Sequence, residues 1–278
     1  MTNQAKIHPL DDALQLAVRE PGVYTGRTTE AYWNMVGPFG GITAATMLQA
    51  VLQHRQLLGD PLSLTVNFAG AVAQGEFTIR ATPVRTNRST QHWMLTLEQP
   101  GPDGEPVVAT TATAVTAVRR ETWGVSDTPM PVVAARPAEC ERAEPAFRAQ
   151  WLSAYEIRPV SGNLPTVWDD RGDDSLSQLW VRDAPERTLD FAALAAVSDV
   201  FFPRIWLRRA RRVPAGTVSI TTYFHASGAQ LAQSGTGYLF AQARAQEFRN
   251  GFCDQTAQLW NEDGLMLTTS HQIVYYKE

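Results

Sequence analysis

The sequence contains an internal repeat at an offset of about 160 residues, and a repeat of this length implies two similarly folded halves. The matching segments are Ser63–Phe68 with Ser219–Phe224 at an offset of 156, Asp103-Gly104 with Asp263-Gly264 at 160, and Thr110-Thr111 with Thr268-Thr269 at 158. The matches occur in the same order in both halves. The small drift in offset is what insertions in surface loops produce.

Both halves show one helical pattern followed by four alternating strands that are rich in Thr and Val. The helix opens at Gly40-Gly41 in the first half, and it is predicted over residues 189–206 in the second. The predicted strands span 62–68, 76–84, 91–98 and 107–118 in the first half, and 217–225, 237–245, 253–260 and 265–275 in the second. One helix with an antiparallel sheet, present twice, predicts an α+β fold. The two sheets should pair edge to edge, because such pairing removes exposed edge strands.

The stretch between the two halves lacks periodicity and is rich in proline, so we interpret it as a long connector. The chain then divides into an N-terminal module (1–118), a connector (119–179) and a C-terminal module (180–278). A connector rich in tryptophan should pack against the modules rather than remain disordered. The tryptophans in or next to this stretch are Trp123, Trp151, Trp168 and Trp180.

Composition and charge exclude several functional classes. Of 278 residues, 44% are hydrophobic, which suffices for a globular core, and the net charge of −4 argues against nucleic acid as a partner. No His, Cys or carboxylate spacing is typical of a metal site, and we expect neither a metal nor another cofactor. The absence of a signal-like or membrane-spanning apolar segment predicts a cytoplasmic protein that does not enter membranes. Because no Gly-x-Ser-x-Gly motif occurs, a covalent catalytic triad is not expected.

Three motifs resemble the type II acyl-CoA thioesterases, which have a double hotdog fold. The apolar stretch 194–203 (LAAVSDVFFP) contains a Ser-Asp pair before Phe and Pro, as in the second-half helix of that family. Thr217 precedes Phe224-His225 by seven residues, and Gln272 follows a small, polar run in the last predicted strand. The motifs stand in the family's order, and the resemblance covers nearly the whole chain.

The resemblance implies hydrolysis of an acyl thioester by a water molecule that Asp199, Thr217 and Gln272 hold. The carboxylate would accept the proton of the water, and the other two side chains would orient it. The corresponding positions of the first half lie near Thr43, Pro61 and Ala114, and none of these residues could do the same work.

The resemblance also bears on the partners of the protein. The expected substrate is an acyl-CoA or another acyl thioester, and a homo-oligomer is implied. Gly40 and Gly41 stand at the start of the first predicted helix, where free backbone N–H groups could bind the substrate oxyanion. A plain turn is the alternative for these glycines. The sequence leaves open the acyl chain length and whether CoA or a carrier protein bears the acyl group.

Other functions remain open at this point. Taken singly, Asp199 could be a satisfied buried carboxylate, Thr217 an ordinary strand residue and Gln272 a solvent-facing one. A hotdog enoyl-CoA hydratase would pair its Asp with a His five residues later, where this chain has Arg204. A non-hydrolytic acyl-thioester binding protein is a further alternative. The arginine-rich segment Arg204–Arg212 could bind CoA phosphates, but we interpret it as a solvated helix end.

Overall fold

The computed structural model describes residues 7–133, 135–144 and 149–278. Residues 1–6, on which part of the N-terminal interpretation rests, lie outside the described residues, as do Ala134 and residues 145–148 of the predicted connector. Within the described ranges, the structure contains no helix that is long and apolar enough to cross a membrane.

The first half consists of a central helix and a curved antiparallel sheet around it. Its elements are α1 (Pro9–Ala13), β1 (Ala17–Glu20), β2 (Val23–Arg27), α2 (Gly40–Leu52), β3 (Asp60–Phe68), β4 (Glu76–Thr86), β5 (Thr90–Pro100) and β6 (Pro106–Ala117). Ala, Leu and Met give α2 a high helix propensity, and almost all of its side chains are buried. The strands alternate buried and exposed residues, as expected of a sheet with one face on a core.

The second half repeats this plan with more short elements. They are β7 (Tyr155–Ser161), β8 (Ser177–Asp183), α3 (Phe191–Val197), α4 (Arg204–Arg209), β9 (Ala215–Phe224), α5 (Gly228–Ser234), β10 (Leu239–Arg244), β11 (Phe248–Arg249), β12 (Phe252–Asn261) and β13 (Met266–Tyr276). The Ala-rich α3 packs against α2 in the middle of the molecule. The absence of a side chain at Gly41 allows this approach, because a methyl group there would overlap the Ala196 backbone carbonyl oxygen.

All the strands within the described ranges belong to one sheet with the order β1-β2-β4-β5-β6-β3-β9-β13-β12-β10-β8-β7, and β11 pairs with β12. The strand pairs are antiparallel throughout. The two halves join where β3 pairs with β9, which confirms the predicted edge-to-edge pairing. The fold is therefore the predicted α+β double hotdog.

The strand register reproduces the sequence repeat. Thr65 and Thr221 are repeat equivalents 156 residues apart, and they face each other across the β3–β9 junction with their Oγ1 atoms 2.9 Å apart. Each of these two strands also contains an irregularity at the same place, between Pro61 and Ser63 in β3 and between Thr217 and Ser219 in β9. The two halves of the repeat therefore share even this irregularity in strand pairing.

The predicted helix over residues 189–206 is wrong in its extent. The structure has two short helices there, α3 and α4, with an irregular turn over residues 198–203 between them. Pro203 explains the break, because a proline disfavours helical backbone at the residue before it and is tolerated only at the start of a helix. Asp199 consequently lies in the turn directly after α3 and not inside a continuous helix.

The predicted connector is more regular than its sequence indicates. It contains β7, and the boundary between residues 179 and 180 falls inside β8. Both strands extend the common sheet beyond β10, on the side of the second half. Pro159 is tolerated because β7 is an edge strand. Trp151 and Trp180 are buried as expected, but Trp123 is 85% exposed and does not pack against the modules.

Candidate active site

Asp199 is a buried carboxylate at the contact between the two helices. Its side chain accepts a hydrogen bond at 2.7 Å from Gln272 Nε2 to Oδ1 and another from the Gly41 backbone N–H. Burial raises the pKa of Asp199 to about 7, because the loss of water disfavours the charged form more than the two hydrogen bonds favour it. The carboxylate can therefore gain or lose a proton near neutral pH.

Thr217 reaches the same place because of the β9 irregularity. Strict alternation predicts that it shares a face with Ser219 and Thr221, and this prediction is wrong. The pairing skips Val218, so Thr217 lies opposite Val274 and turns to the inner face of the sheet. Its Oγ1 donates a hydrogen bond to Gln272 Oε1 at 3.2 Å.

Gln272 connects the other two side chains. It lies on the inner face of β13 and is 4% exposed, so the solvent-facing alternative does not hold. Its carbonyl oxygen accepts from Thr217 and its amide group donates to Asp199, which fixes the orientation of the carboxamide. The structure therefore brings the three predicted residues together in one hydrogen-bonded chain, although they come from a turn and two strands.

A cavity of about 480 Å³ lies beside this chain and is lined by residues of both halves. Asp199, Thr217 and Gln272 all contribute to its wall, and the remaining wall is largely apolar. The apolar side chains include Phe68, Val72, Trp151, Phe201, Phe202 and Trp206. Such a cavity suits a ligand with a hydrophobic chain and one polar centre.

Gly40 and Gly41 lie where α2 contacts α3, beside Asp199, and Gly41 donates a hydrogen bond to the Asp199 carboxylate. Gly40 lines the cavity, and a Cβ atom at this position would lie 2.7 Å from Asp199 Oδ2. The Gly41 N–H group, for which substrate binding and a plain turn were the two alternatives, is bonded to the Asp199 carboxylate. The helix N-terminus therefore holds the carboxylate in place with an amide and leaves room for it with a missing side chain.

The arginine-rich segment after α3 does not form a solvated helix end throughout. Arg204 is 1% exposed, and its Nη1 donates to the Ser175 carbonyl oxygen at 3.0 Å and to Ser177 Oγ at 2.8 Å. Arg209 forms two hydrogen bonds of 2.7 Å with the Asp170 carboxylate. These arginines are engaged within the chain. In the part of the chain that the structure describes, no cluster of His, Cys, Asp and Glu could hold a metal ion.

Sequence reasoning missed Gln255 on β12, a polar residue of the cavity wall. The inner face of this strand also carries Cys253, Ala257 and Leu259, so Gln255 interrupts an apolar row. The alternation of side chains along β12 places Gln255 on the inner face, opposite Gln272, and this alternation could have identified Gln255 from the sequence.

The fold and the buried polar chain define a double hotdog protein with an enzyme-like site between its halves. Two family models match the sequence: an acyl-CoA thioesterase C-terminal domain over residues 130–276 and an acyl-CoA thioesterase N-terminal domain over residues 29–117. The chain therefore belongs to the acyl-CoA thioesterase family, and its enzyme class is thioester hydrolase. A search of the curated proteins finds no match.

Solved structures support the fold. A conserved hot dog fold protein of unknown function from Alicyclobacillus acidocaldarius is 44% identical, with a TM-score of 0.91 over 98% of this chain and 99% of that one. Acyl-CoA thioesterase II TesB2 from Mycobacterium marinum is 16% identical, with a TM-score of 0.76 over 96% and 98%. The dehydratase domain of RzxB from Pseudomonas fluorescens is 12% identical, with a TM-score of 0.56 over 98% and 99%. The last two likenesses concern the fold alone.

Proposed function

We propose that this protein hydrolyses an acyl-CoA to the free acid and CoA, with a water molecule activated by Asp199, Thr217 and Gln272. The hydrogen-bonded chain of these three side chains on the wall of the cavity is the observation that carries the proposal. Side chains with only structural roles would have no reason to converge from three separate elements on one cavity.

The proposed reaction needs one proton acceptor. The Asp199 carboxylate takes a proton from the water while the water oxygen bonds to the thioester carbonyl carbon. The carbon–sulfur bond then breaks, and the proton passes from Asp199 to the CoA thiolate. A pKa of about 7 suits this role, because the group is ionised often enough to act as base and is basic enough to accept a proton.

Thr217 and Gln272 would hold the geometry of this step. Gln272 fixes one oxygen of the Asp199 carboxylate, and Thr217 fixes the carboxamide of Gln272. The second carboxylate oxygen faces Gly40, which lines the cavity, and is the oxygen that we assign to the water. No side-chain nucleophile is involved, so no acyl-enzyme should form.

The position of Arg204 speaks against the hydratase alternative. That reaction needs a second acid–base group beside the aspartate, and Arg204 takes the place in sequence of the expected histidine. Its guanidinium is buried against Ser175 and Ser177, and burial lowers its pKa only to about 9. It is also absent from the cavity wall. Hydrolysis needs no such second group.

The test is a hydrolysis screen over acyl-CoAs of increasing chain length, with free thiol as the readout. We expect Asp199→Asn to lower kcat by about 100-fold or more, and Gln272→Ala to lower it less. Asp183→Asn is the matched control, because burial also raises the pKa of Asp183 to about 7 while the residue lies away from the cavity wall. Unchanged turnover in Asp199→Asn, or a covalent acyl adduct on the wild-type protein, would contradict the mechanism. Binding without hydrolysis by the wild-type protein would favour the non-hydrolytic alternative.

We further propose that the chain forms a homo-oligomer through the outer face of its sheet. Tyr223 and Ile273 point outward from the central strands β9 and β13 and remain 44% and 43% exposed. Exposed large apolar side chains on a central sheet face are typical of an interface. Analytical ultracentrifugation should give a mass above that of one chain, and Ile273→Lys should lower it. A monomeric wild-type protein would refute this proposal.

A further inference from the structure

We propose that Gln255 is a further substrate-contacting residue, whose carboxamide donates a hydrogen bond to the carbonyl oxygen of the bound thioester. This inference rests on the proposed function and adds to the water-activating chain a donor for the oxygen on which negative charge develops.

Gln255 lies next to the proposed catalytic chain. It is the direct cross-strand partner of Gln272 in the β12–β13 pairing, and both side chains point to the inner face of the sheet. Side chains in directly opposite positions have Cβ atoms about 5 Å apart. Gln255 also lines the cavity that Asp199 and Thr217 line. Its carboxamide is therefore within reach of a group bound at the Asp199 carboxylate.

The carboxamide of Gln255 is buried and makes no hydrogen bond with any described residue. Gln255 is 2% exposed. The other buried glutamines are satisfied: Gln272 bonds to Asp199 and Thr217, while Gln91 donates to Gln56 O and Thr86 Oγ1 and accepts from the Leu58 N–H. An unpaired buried amide is costly unless something else completes its hydrogen bonds. Because Gln255 faces the cavity, a ligand there can complete them.

The chemistry of the wall indicates which ligand atom pairs with Gln255. Gln272 uses one of its two amide N–H groups on Asp199, and the Gly41 N–H group is also bonded to that carboxylate. These two N–H groups are taken up in stabilising the base. The hydrolysis of a thioester needs a donor at the carbonyl oxygen, which becomes an oxyanion during attack. The free amide group of Gln255 can supply it from the neighbouring strand.

The first half of the repeat provides an internal comparison. Ala114 is the register equivalent of Gln272, and Trp93 lies opposite Ala114 as Gln255 lies opposite Gln272. Trp93 is 1% exposed and satisfied, since its Nε1 donates to Thr116 Oγ1 at 3.2 Å. The first half has no carboxylate equivalent to Asp199, and there the position of Gln255 is filled by the bulky, hydrogen-bonded side chain of Trp93. An unpaired polar group occurs there only in the half that carries Asp199.

The first experiment compares Gln255→Leu with Gln258→Leu in steady-state hydrolysis and thermal unfolding. Gln258 makes the matched control because it lies on the same strand, faces outward and pairs with Gln242 at 3.0 Å. We expect Gln255→Leu to lower kcat at least tenfold, within the range for loss of an oxyanion donor, with Tm unchanged or raised. The control should keep wild-type kcat. A merely structural role would give the reverse for Gln255→Leu, with wild-type kcat and a lowered Tm.

The second experiment measures binding and does not depend on turnover. The probes are two non-hydrolysable analogues of the acyl-CoA that the wild-type protein hydrolyses fastest. In the ketone, CH₂ replaces the sulfur and the carbonyl remains; in the thioether, CH₂ replaces the carbonyl. Gln255→Leu should weaken binding of the ketone about tenfold, the effect of one hydrogen bond, and leave the thioether unaffected.

The outcomes separate this inference from the proposed function. If Asp199→Asn abolishes hydrolysis while Gln255→Leu keeps wild-type kcat and wild-type binding of the ketone, the assignment of Gln255 is overturned and the water mechanism stands. If Gln255→Leu weakens both analogues equally, Gln255 does not contact the carbonyl and the inference also fails. If Asp199→Asn hydrolyses normally, the proposed function fails, and the selective loss of ketone binding still tests Gln255.

Discussion

Replacing Asp199 with Asn should make the protein more stable at pH 8 while it removes catalysis. Burial raises the pKa of Asp199 from 3.8 in an unfolded chain to about 7 in the fold. Each pKa unit corresponds to about 1.4 kcal/mol, so keeping the carboxylate ionised in the folded state costs about 4 kcal/mol at pH 8. Asn avoids this cost and can still accept from Gln272. Its amide group would, however, face the Gly41 N–H group, and two opposed donors cost about 1–2 kcal/mol. The net gain should be about 2–3 kcal/mol.

The stability that Asp199→Asn gains over the wild-type protein should increase as the pH rises. A carboxyl group with a raised pKa contributes stability that is fully present below its unfolded pKa and is lost as pH rises through its folded pKa. For Asp199 this loss falls between about pH 4 and pH 7. The wild-type protein should therefore lose about 3 kcal/mol relative to Asp199→Asn between pH 5 and pH 8. Near pH 5 the two proteins should be almost equally stable.

Urea unfolding of both proteins, followed by tryptophan fluorescence at pH 5, 6, 7 and 8, measures this difference directly. The pKa of Asp183 is also raised to about 7 by burial, but this residue is present in both proteins and its effect cancels in the difference. A difference in unfolding free energy that stays constant from pH 5 to pH 8 would refute the reasoning. It would mean that Asp199 titrates as an ordinary carboxylate and is not poised to act as a base near neutral pH.

Three other predictions follow from the same contacts. Wild-type kcat/KM should fall tenfold per pH unit below about pH 7 and level off above it, because only ionised Asp199 accepts a proton; a pH–rate profile measures this. Gly41→Ala should lower both Tm and kcat, since the added methyl group overlaps a backbone carbonyl of α3, whereas Gly124→Ala, with open space around it, should change neither. Arg119→Met should lower the unfolding free energy in urea by about 2–3 kcal/mol, because the guanidinium donates to backbone carbonyls at the β3–β9 junction.

The sequence predicted the global arrangement because the repeat constrains it. A twofold repeat of helix and strands predicted two sheets that pair edge to edge, and the structure places the repeat equivalents Thr65 and Thr221 opposite each other at that junction. The candidate residues Asp199, Thr217 and Gln272 came from the resemblance of their motifs to the acyl-CoA thioesterases, because the residues taken singly left a buried structural carboxylate, an ordinary strand residue and a solvent-facing amide as alternatives. The repeat is visible in the sequence, whereas the convergence of these side chains is visible only in the structure.

Features that depend on local irregularity could not be predicted in this way. Val218 looks like any strand residue, yet the skipped pairing at this position turns Thr217 from the outer to the inner face. Arg204 looks solvent-exposed within a basic segment, but the turn before α4 buries it against Ser175. The strands of the predicted connector escaped notice because they are short and one contains Pro159. In each case tertiary contacts override the local pattern.

The two halves carry different residues at equivalent positions, but both contribute to the surroundings of Asp199. At the register positions of Thr217, Gln272 and Gln255 the first half carries Pro61, Ala114 and Trp93, which offer no hydroxyl and no carboxamide. Yet the first half supplies the α2 N-terminus, and there the Gly41 N–H group holds the Asp199 carboxylate while Gly40 leaves it room. The cavity is likewise lined from both sides. Neither half therefore supplies all the contacts of the Asp199 carboxylate, because Gln272 comes from the second half and the Gly41 N–H group from the first.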